Sequence, residues 1–133
     1  MDIWNKLYDE AVRVQNNRTV SPFIDAGAVA AAILTKKGNI YVGVCIDTAC
    51  TLGMCAERNA LFQLVSLGYS KDDVVAMAVV GDTINPISPC GACRQVMAEL
   101  LDMNTKIVLA NIKYDFKETT VKELLPYNFE GLE

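Results

Sequence analysis

The chain has 133 residues, of which 52% are hydrophobic and 21% are charged, a length and composition typical of one globular domain with its own core. It contains no histidine, which excludes Ser-His-Asp triads, Cys-His nucleophile pairs and histidine-based metal helices. The formal net charge of -4, with basic residues scattered along the chain, argues against a nucleic-acid partner.

Export and membrane insertion are not expected from the sequence. The first residues lack the basic and apolar regions of a signal peptide. The longest uncharged apolar run, 26–34, is shorter than the roughly 20 residues that a bilayer requires. The five cysteines are an odd number, which favours metal ligation or free thiols over a disulfide framework. We therefore expect a cytoplasmic protein with no membrane partner, forming one domain over 1–133.

The N-terminal part of the chain predicts a helix followed by a hairpin. Apolar residues three or four apart indicate an amphipathic helix over 3–16, with Asp2 as its N-cap. Two apolar runs, 29–35 and 40–46, predict strands, and the turn residues 36–39 between them predict a hairpin.

The rest of the chain alternates helices with strands. Helical spacing predicts helices over 55–67 and 90–101, and apolar runs predict strands over 74–80 and 106–110. The residues 120–123 have the form of a capping box for a last short helix. A hairpin followed by such alternation predicts an α/β fold with a mixed sheet covered by helices.

Three cysteines at the starts of two predicted helices are the candidate metal ligands. Cys90 and Cys93 are three residues apart, so their side chains share one face of a helix, and Cys55 opens the preceding helix. Helix N-termini carry partial positive charge and free N–H groups, which lower thiol pKa values and stabilise thiolates. Three thiolates on tetrahedral zinc leave the fourth position open, as in a catalytic site.

Two charged residues follow Cys55 and complete the predicted site. Glu57 leaves the same helical turn in another direction, so its carboxyl can face a zinc-activated water and carry protons. Arg58 follows directly, and its guanidinium would offset the excess negative charge of three thiolates around zinc. This arrangement suits hydrolytic deamination of an amidine-like carbon.

Parts of the cysteine pattern are compatible with other kinds of site. Cys-x-x-Cys alone is compatible with a redox pair or a structural zinc knuckle. A closed site of four thiolates would take Cys45 or Cys50 as its fourth ligand, although these two are better interpreted as small buried residues. A closed site would also have no use for Glu57, although Glu is common at helix starts for dipole reasons alone.

Two motifs of the chain resemble the signature of the zinc-dependent cytidine deaminases. They are Cys55-Ala56-Glu57-Arg58 and Pro89-Cys90-Gly91-Ala92-Cys93-Arg94-Gln95. They match the Cys-Ala-Glu and Pro-Cys-x-x-Cys elements of these enzymes in their three-cysteine form. The likeness runs from the hairpin to residues 124–129, and the chain is similar to the small tetrameric cytidine deaminases.

This resemblance implies a three-layer α/β/α sandwich with a five-stranded mixed sheet and one Zn²⁺ per subunit. It also implies a homotetramer with shared active sites. Backbone groups near Ala56 would orient the base, and Phe129 of a neighbouring subunit would stack on the pyrimidine. Arg94 and Gln95 are interpreted as packing residues.

The chain departs from the family where the sugar is usually held. Cytidine deaminases carry Asn-x-Glu-Asn after the second strand, and here the corresponding stretch is Cys45-Ile46-Asp47-Thr48. Cysteine cannot replace the paired donor and acceptor of an amide, whereas Asp47 can accept one hydroxyl proton. Similar losses occur in the blasticidin-S deaminases, which act on a cytosine nucleoside antibiotic.

The sequence therefore predicts a zinc-dependent hydrolytic deaminase of free cytosine nucleosides, with Glu57 as the catalytic residue. Asp47 and Cys45 are the candidate sugar-contacting positions. The first alternative is a deaminase of a modified cytosine nucleoside such as blasticidin S. The alternative from another class is a catalytically silent, zinc-stabilised binding scaffold.

Overall fold

The structure is a computed structural model that describes residues 3–129 and 131. Its helices are α1 (Ile3–Gln15), α2 (Ala56–Ser66), α3 (Gly91–Leu100) and α4 (Val121–Leu124), with a 3-10 turn at Lys71–Asp73. Its strands are β1 (Thr19–Val20), β2 (Ile24–Thr35), β3 (Ile40–Thr48), β4 (Val74–Gly81), β5 (Lys106–Asn111) and β6 (Phe116–Thr120).

The strands form one mixed sheet with β3 at one edge and β6 at the other. Its main order is β3-β2-β4-β5-β6, in which only the β4–β5 pair is parallel. The two-residue β1 pairs with the start of β2. It lies on the same side of β2 as β4, which pairs with the later part of β2. The mixed α/β sheet expected from the sequence is confirmed, and β1 makes the strand count six rather than five.

Helices cover the sheet on both faces. On one face, α1 packs through Leu7 and Ala11 against alanines and valines of β2, β4 and β5. On the other face, α2, α3 and α4 pack through larger side chains such as Leu61, Met97 and Val121. This is the predicted three-layer α/β/α sandwich. Among the described residues, no helix is long and apolar enough to cross a membrane.

The predicted elements agree closely with the structure, with a few differences. The helix over 3–16, the hairpin and the helix over 55–67 are confirmed, and β2 begins five residues before the predicted 29. Neither β1 nor β6 was placed from the sequence, because β1 is only two residues long and three of the five residues of β6 are exposed and lack an apolar run. The predicted N-cap Asp2 lies outside the described residues.

Helix α2 packs closely against the edge strand β3. A Cβ on Gly43 would lie 2.6 Å from the backbone nitrogen of Ala60, so only glycine permits this approach. The side-chain amides of Asn59 and Gln63 donate to the carbonyl oxygens of Val44 and Val42, at 3.1 and 2.6 Å. These contacts fix the position of α2, whose first turn carries the candidate site.

Candidate metal centre and active site

Three cysteine thiols meet where α2 and α3 begin. Cys55 is the N-cap residue of α2 and Cys90 is the N-cap residue of α3, both with extended backbone. Cys93 lies in the first turn of α3 and is fully buried. The Sγ atoms of the three residues all lie within 4.8 Å of one another. The structure thus brings together the three residues that the sequence proposed as metal ligands.

The geometry of these thiols fits a tetrahedral metal ion. The Sγ atoms of Cys55 and Cys90 are 3.8 Å apart. Zinc–sulfur bonds of about 2.3 Å in a tetrahedron place two sulfur atoms about 3.8 Å apart. All five cysteines, each within the described part of the chain, are free thiols. The donor set therefore fits one zinc ion, held by three thiolates.

The environment of the thiols differs from one to the next. Backbone N–H groups of Cys93 and Ala92 at the start of α3 lower the pKa of Cys90, with further help from the neighbouring thiols. Burial raises the pKa of Cys93, and the nearby carboxyl of Glu57 adds to that effect. A buried thiol of this kind needs a cation beside it before it carries charge, and a metal ion supplies one.

Glu57 lies beside the thiols in the first turn of α2. Only 4% of the residue is exposed. Burial raises the pKa of its carboxyl, while its own backbone N–H, the Cys93 side chain and Arg58 act in the opposite direction. A buried carboxyl is costly without a role or a partner, and this one lies next to the reacting region that the thiols define.

Arg58 places a cation against the thiols. Its Nη2 donates to the Sγ of Cys55 at 3.5 Å, and this contact raises the pKa of the guanidinium. Its buried Nε has no hydrogen-bond partner among the described residues. A guanidinium directed at sulfur is suited to thiolates rather than neutral thiols, which supports the charge-balancing role expected from the sequence.

A cleft of about 470 Å³ opens beside Cys55 and Arg58. Its other lining residues are Cys45, Asp47, Thr48, Thr51, Gly53 and Met54. In the loop between β3 and α2, the backbone N–H of Ile46 donates to the carbonyl oxygen of Met54 at 2.8 Å, and the N–H of Met54 donates to the carbonyl oxygen of Ile46 at 2.9 Å. The loop therefore folds back on β3 directly before Cys55. Thr48, Thr51 and Met54 were not predicted as site residues, since no motif or spacing distinguishes them.

Cys45 and Asp47 occupy different situations in this cleft. The Sγ of Cys45 accepts a hydrogen bond from the backbone N–H of Val29, at 3.3 Å, where an irregularity interrupts the β2–β3 pairing. Asp47 is exposed and lies opposite Asp25, whose carboxylate is held by Arg18 at 3.1 Å. The Asp47 carboxylate therefore faces the cleft without a basic partner among the described residues, while the Cys45 sulfur is already engaged.

The two remaining predicted substrate-contacting residues lie in contrasting places. Ala56 is fully buried at the start of α2, between Cys55 and Glu57. Phe129 is 56% exposed and is not among the residues that line the cleft of its own chain. The structure therefore does not bring Phe129 into the cleft of its own chain.

Comparison with known proteins places these features in one family. Residues 3–110 match the family described as the cytidine and deoxycytidylate deaminase zinc-binding region. The chain is 53% identical over 102 residues to a cytidine deaminase of Halalkalibacterium halodurans, covering 76% of each chain. It is 33% identical over 115 residues to a blasticidin-S deaminase of Bacillus cereus, with 76% of each chain covered.

Solved structures agree with this relationship. A crystal structure of cytidine deaminase from Burkholderia pseudomallei superposes with a TM-score of 0.82 at 38% sequence identity. The match covers 97% of this chain and 100% of that one. The resemblance inferred from the two cysteine motifs is confirmed at the level of both sequence and fold.

Replacing Cys93 by Ser should remove the metal, because a hydroxyl is a poor zinc ligand and only two thiolates would remain. We expect zinc affinity to fall by more than about 100-fold, beyond the loss typical of changes outside the ligand set. Metal content after dialysis against a chelator measures this directly. Cys50→Ser is the matched control and should keep one zinc per chain. A loss of zinc in Cys50→Ser would instead favour a closed four-thiolate site.

Proposed function

We propose that this chain, which belongs to the cytidine and deoxycytidylate deaminase zinc-binding family, deaminates a free cytosine nucleoside. The reaction hydrolyses cytidine or 2′-deoxycytidine to the uracil nucleoside and ammonia. The observation that carries this proposal is the buried carboxyl of Glu57 beside three thiols able to hold a metal ion. A binding scaffold without activity would have no use for that carboxyl.

The proposed chemistry divides between the metal and Glu57. Cys55, Cys90 and Cys93 would hold a zinc ion, which when bound would lower the pKa of water and supply a nucleophile near neutral pH. Glu57 would take one proton from the attacking water and deliver it to ring N3 of cytosine as the C4–O bond forms. It would then take the remaining proton from that oxygen and deliver it to the amino group, which leaves as ammonia when the C4–N bond breaks. Arg58 offsets the excess negative charge of the thiolates.

The charges around the cleft favour a nucleoside over a nucleotide. Asp47 lines the cleft with its carboxylate exposed, and the chain carries a net charge of -4. Among the described residues that line the cleft, the only basic one is Arg58, whose guanidinium already donates to Cys55. A phosphate would therefore meet negative charge without a free cation to pair with, whereas a sugar hydroxyl can donate to Asp47.

The site is proposed to be completed by a second subunit. Phe129 is exposed at the end of the described chain and does not line its own cleft. In a homotetramer with shared sites, Phe129 of a neighbouring copy would stack on the pyrimidine while backbone groups near Ala56 orient the base. The support for this step is the family membership and the exposure of an aromatic side chain that does not line the cleft of its own subunit.

A second candidate function is deamination of a modified cytosine nucleoside such as blasticidin S. The hydrogen bond that the Cys45 sulfur accepts from the Val29 N–H favours it, because it occupies part of the already weak hydrogen-bonding capacity of that thiol toward a sugar hydroxyl. The similarity to the blasticidin-S deaminase of Bacillus cereus points the same way. A substituted sugar held by fewer polar contacts would suit this cleft.

Replacing Glu57 by Gln should abolish turnover while zinc stays bound, because Gln cannot accept and return a proton. We expect ammonia release from cytidine to fall by about 10²–10⁴-fold, with metal content unchanged. Glu118→Gln, an exposed carboxyl on β6, is the matched control and should retain full activity. Near-normal turnover by zinc-loaded Glu57→Gln would contradict the proposed mechanism.

Replacing Asp47 by Asn should raise the KM for cytidine with little change in kcat, since a sugar contact contributes equally to ground-state and transition-state binding. A lost hydrogen bond to a charged group, worth about 1.5–3 kcal/mol, corresponds to an increase of roughly 10–100-fold. Asp72→Asn, exposed and outside the cleft, is the control. Ammonia release is measured in parallel with cytidine, 2′-deoxycytidine and blasticidin S. Turnover of blasticidin S alone would favour the second candidate function.

Replacing Phe129 by Ala should raise the KM for cytidine by about tenfold, the magnitude of one lost aromatic stacking contact. Tyr127→Ala removes a fully exposed aromatic side chain of the same segment and should leave KM unchanged. Light scattering on the wild-type protein should give the mass of a tetramer. A monomer with normal KM for cytidine would refute the shared site.

A further inference from the structure

Arg94 joins three parts of the molecule through one side chain. It lies in the first turn of α3, and its Nε donates to the carbonyl oxygen of Pro89 at 2.8 Å. Its Nη2 donates to the Oγ of Ser88 at 2.6 Å, and its Nη1 donates to the carbonyl oxygen of Leu124 at 2.9 Å. The first two bonds reach the residues directly before Cys90, and the third reaches the end of α4.

The direction of the Arg94 side chain follows from its place on the helix. Side chains on a helix tilt toward its N-terminus, so a long residue in the first turn reaches the segment that precedes the helix. Ser88 and Pro89 form that segment, and their positions determine how the chain enters Cys90. A guanidinium has five donors in a rigid fork, which is why one residue can hold both of them and still reach α4.

The contact with α4 satisfies a group that the helix itself leaves unpaired. The last carbonyl groups of a helix have no intrahelical partner and carry partial negative charge, which a cation stabilises. Leu124 is the last residue of α4. The start of α4 is held separately, by hydrogen bonds from Val121 and Lys122 to the backbone of Thr105 and Met103. Arg94 thus holds the other end of α4, from which the C-terminal segment departs.

The C-terminal segment, residues 125–129, has few other anchors. Its backbone donates from Leu125 back to Val121, and the Asn128 side chain donates weakly to the sulfur of Met103, at 3.6 Å. Tyr127 and Phe129 are exposed. The charge-assisted bond from Arg94 to Leu124 is therefore the strongest described link between this segment and the metal-bearing helix.

We propose that Arg94 is a positioning residue that couples metal retention at Cys90 to the order of the C-terminal segment. A metal ion that fixes Cys90 also fixes Ser88 and Pro89, and through Arg94 it restrains the end of α4. By linkage, the same contact raises the affinity of the site for the metal. This inference rests on the metal site of the proposed function and is independent of the substrate.

Hydrogen exchange followed by mass spectrometry tests the coupling without any nucleoside. In the wild-type protein, zinc loading should slow exchange both in 82–93 and in 121–129. In Arg94→Gln and Arg94→Lys, zinc should still slow exchange in 82–93, while the protection of 121–129 on zinc loading should disappear. Arg94→Lys keeps the charge and the aliphatic stem, so it remains informative if Arg94→Gln folds poorly.

The affinity for zinc, measured by competition with a chromogenic chelator, is the second measurement. We expect this affinity to be about 10–100-fold lower in both Arg94 variants, as for other groups that orient metal ligands. Arg13→Gln, which removes only an exposed ion pair with Glu10, is the matched control and should match the wild type. The proposal is overturned if zinc leaves exchange in 121–129 unchanged in the wild type, or protects it equally in Arg94→Gln. Neither measurement depends on deamination, so failure of the proposed activity would be seen separately.

Discussion

The metal centre depends on how helix α2 packs against the edge strand β3. The first turn of α2 carries Glu57 and Arg58 and follows directly from Cys55, so a shift of this helix would move all three. Gly43 allows the helix backbone to approach the strand, and two side-chain amides of α2 bind carbonyl oxygens of β3. Those carbonyls lie on a strand edge that would otherwise face solvent, so the same bonds also protect the edge of the sheet.

The second helix of the site is α3. Its position is fixed by contacts at both ends of the loop that precedes it. Asn111, fully buried at the end of β5, donates to the carbonyl oxygen of Ile84 near the start of that loop. Arg94 holds Ser88 and Pro89 at its end. A loop tied at both ends delivers Cys90 to a defined place opposite Cys55. These contacts place the Sγ atom of Cys90 3.8 Å from that of Cys55, the separation that two ligands of one zinc ion require.

The sequence was sufficient for the elements and residues that have a chemical or periodic signal. The helix over 55–67 and the meeting of Cys55, Cys90 and Cys93 follow from spacing and from the chemistry of thiols. The hydrogen bond from the Val29 N–H to the Cys45 sulfur could not be predicted, because it depends on an irregular pairing between β2 and β3. No residue type in the sequence indicates that irregularity. The contacts of Arg94, which was interpreted as a packing residue, could not be predicted either. Its hydrogen bonds go mostly to backbone oxygen atoms, which every residue possesses and which therefore leave no signal in the sequence. The role of Phe129 depends on a second subunit and stays a prediction.

The absence of histidine makes the placement of carboxyl groups decisive for the proposed chemistry. Two carboxylates border the site, and their surroundings separate their roles. Asp47 is exposed at the cleft, where its carboxyl oxygens can accept hydrogen bonds from a neutral ligand. Glu57 is buried against the thiols, where desolvation raises the pKa of its carboxyl and makes the protonated form accessible. The same chemical group, a carboxyl, can therefore serve both binding and proton transfer because the fold buries one and exposes the other.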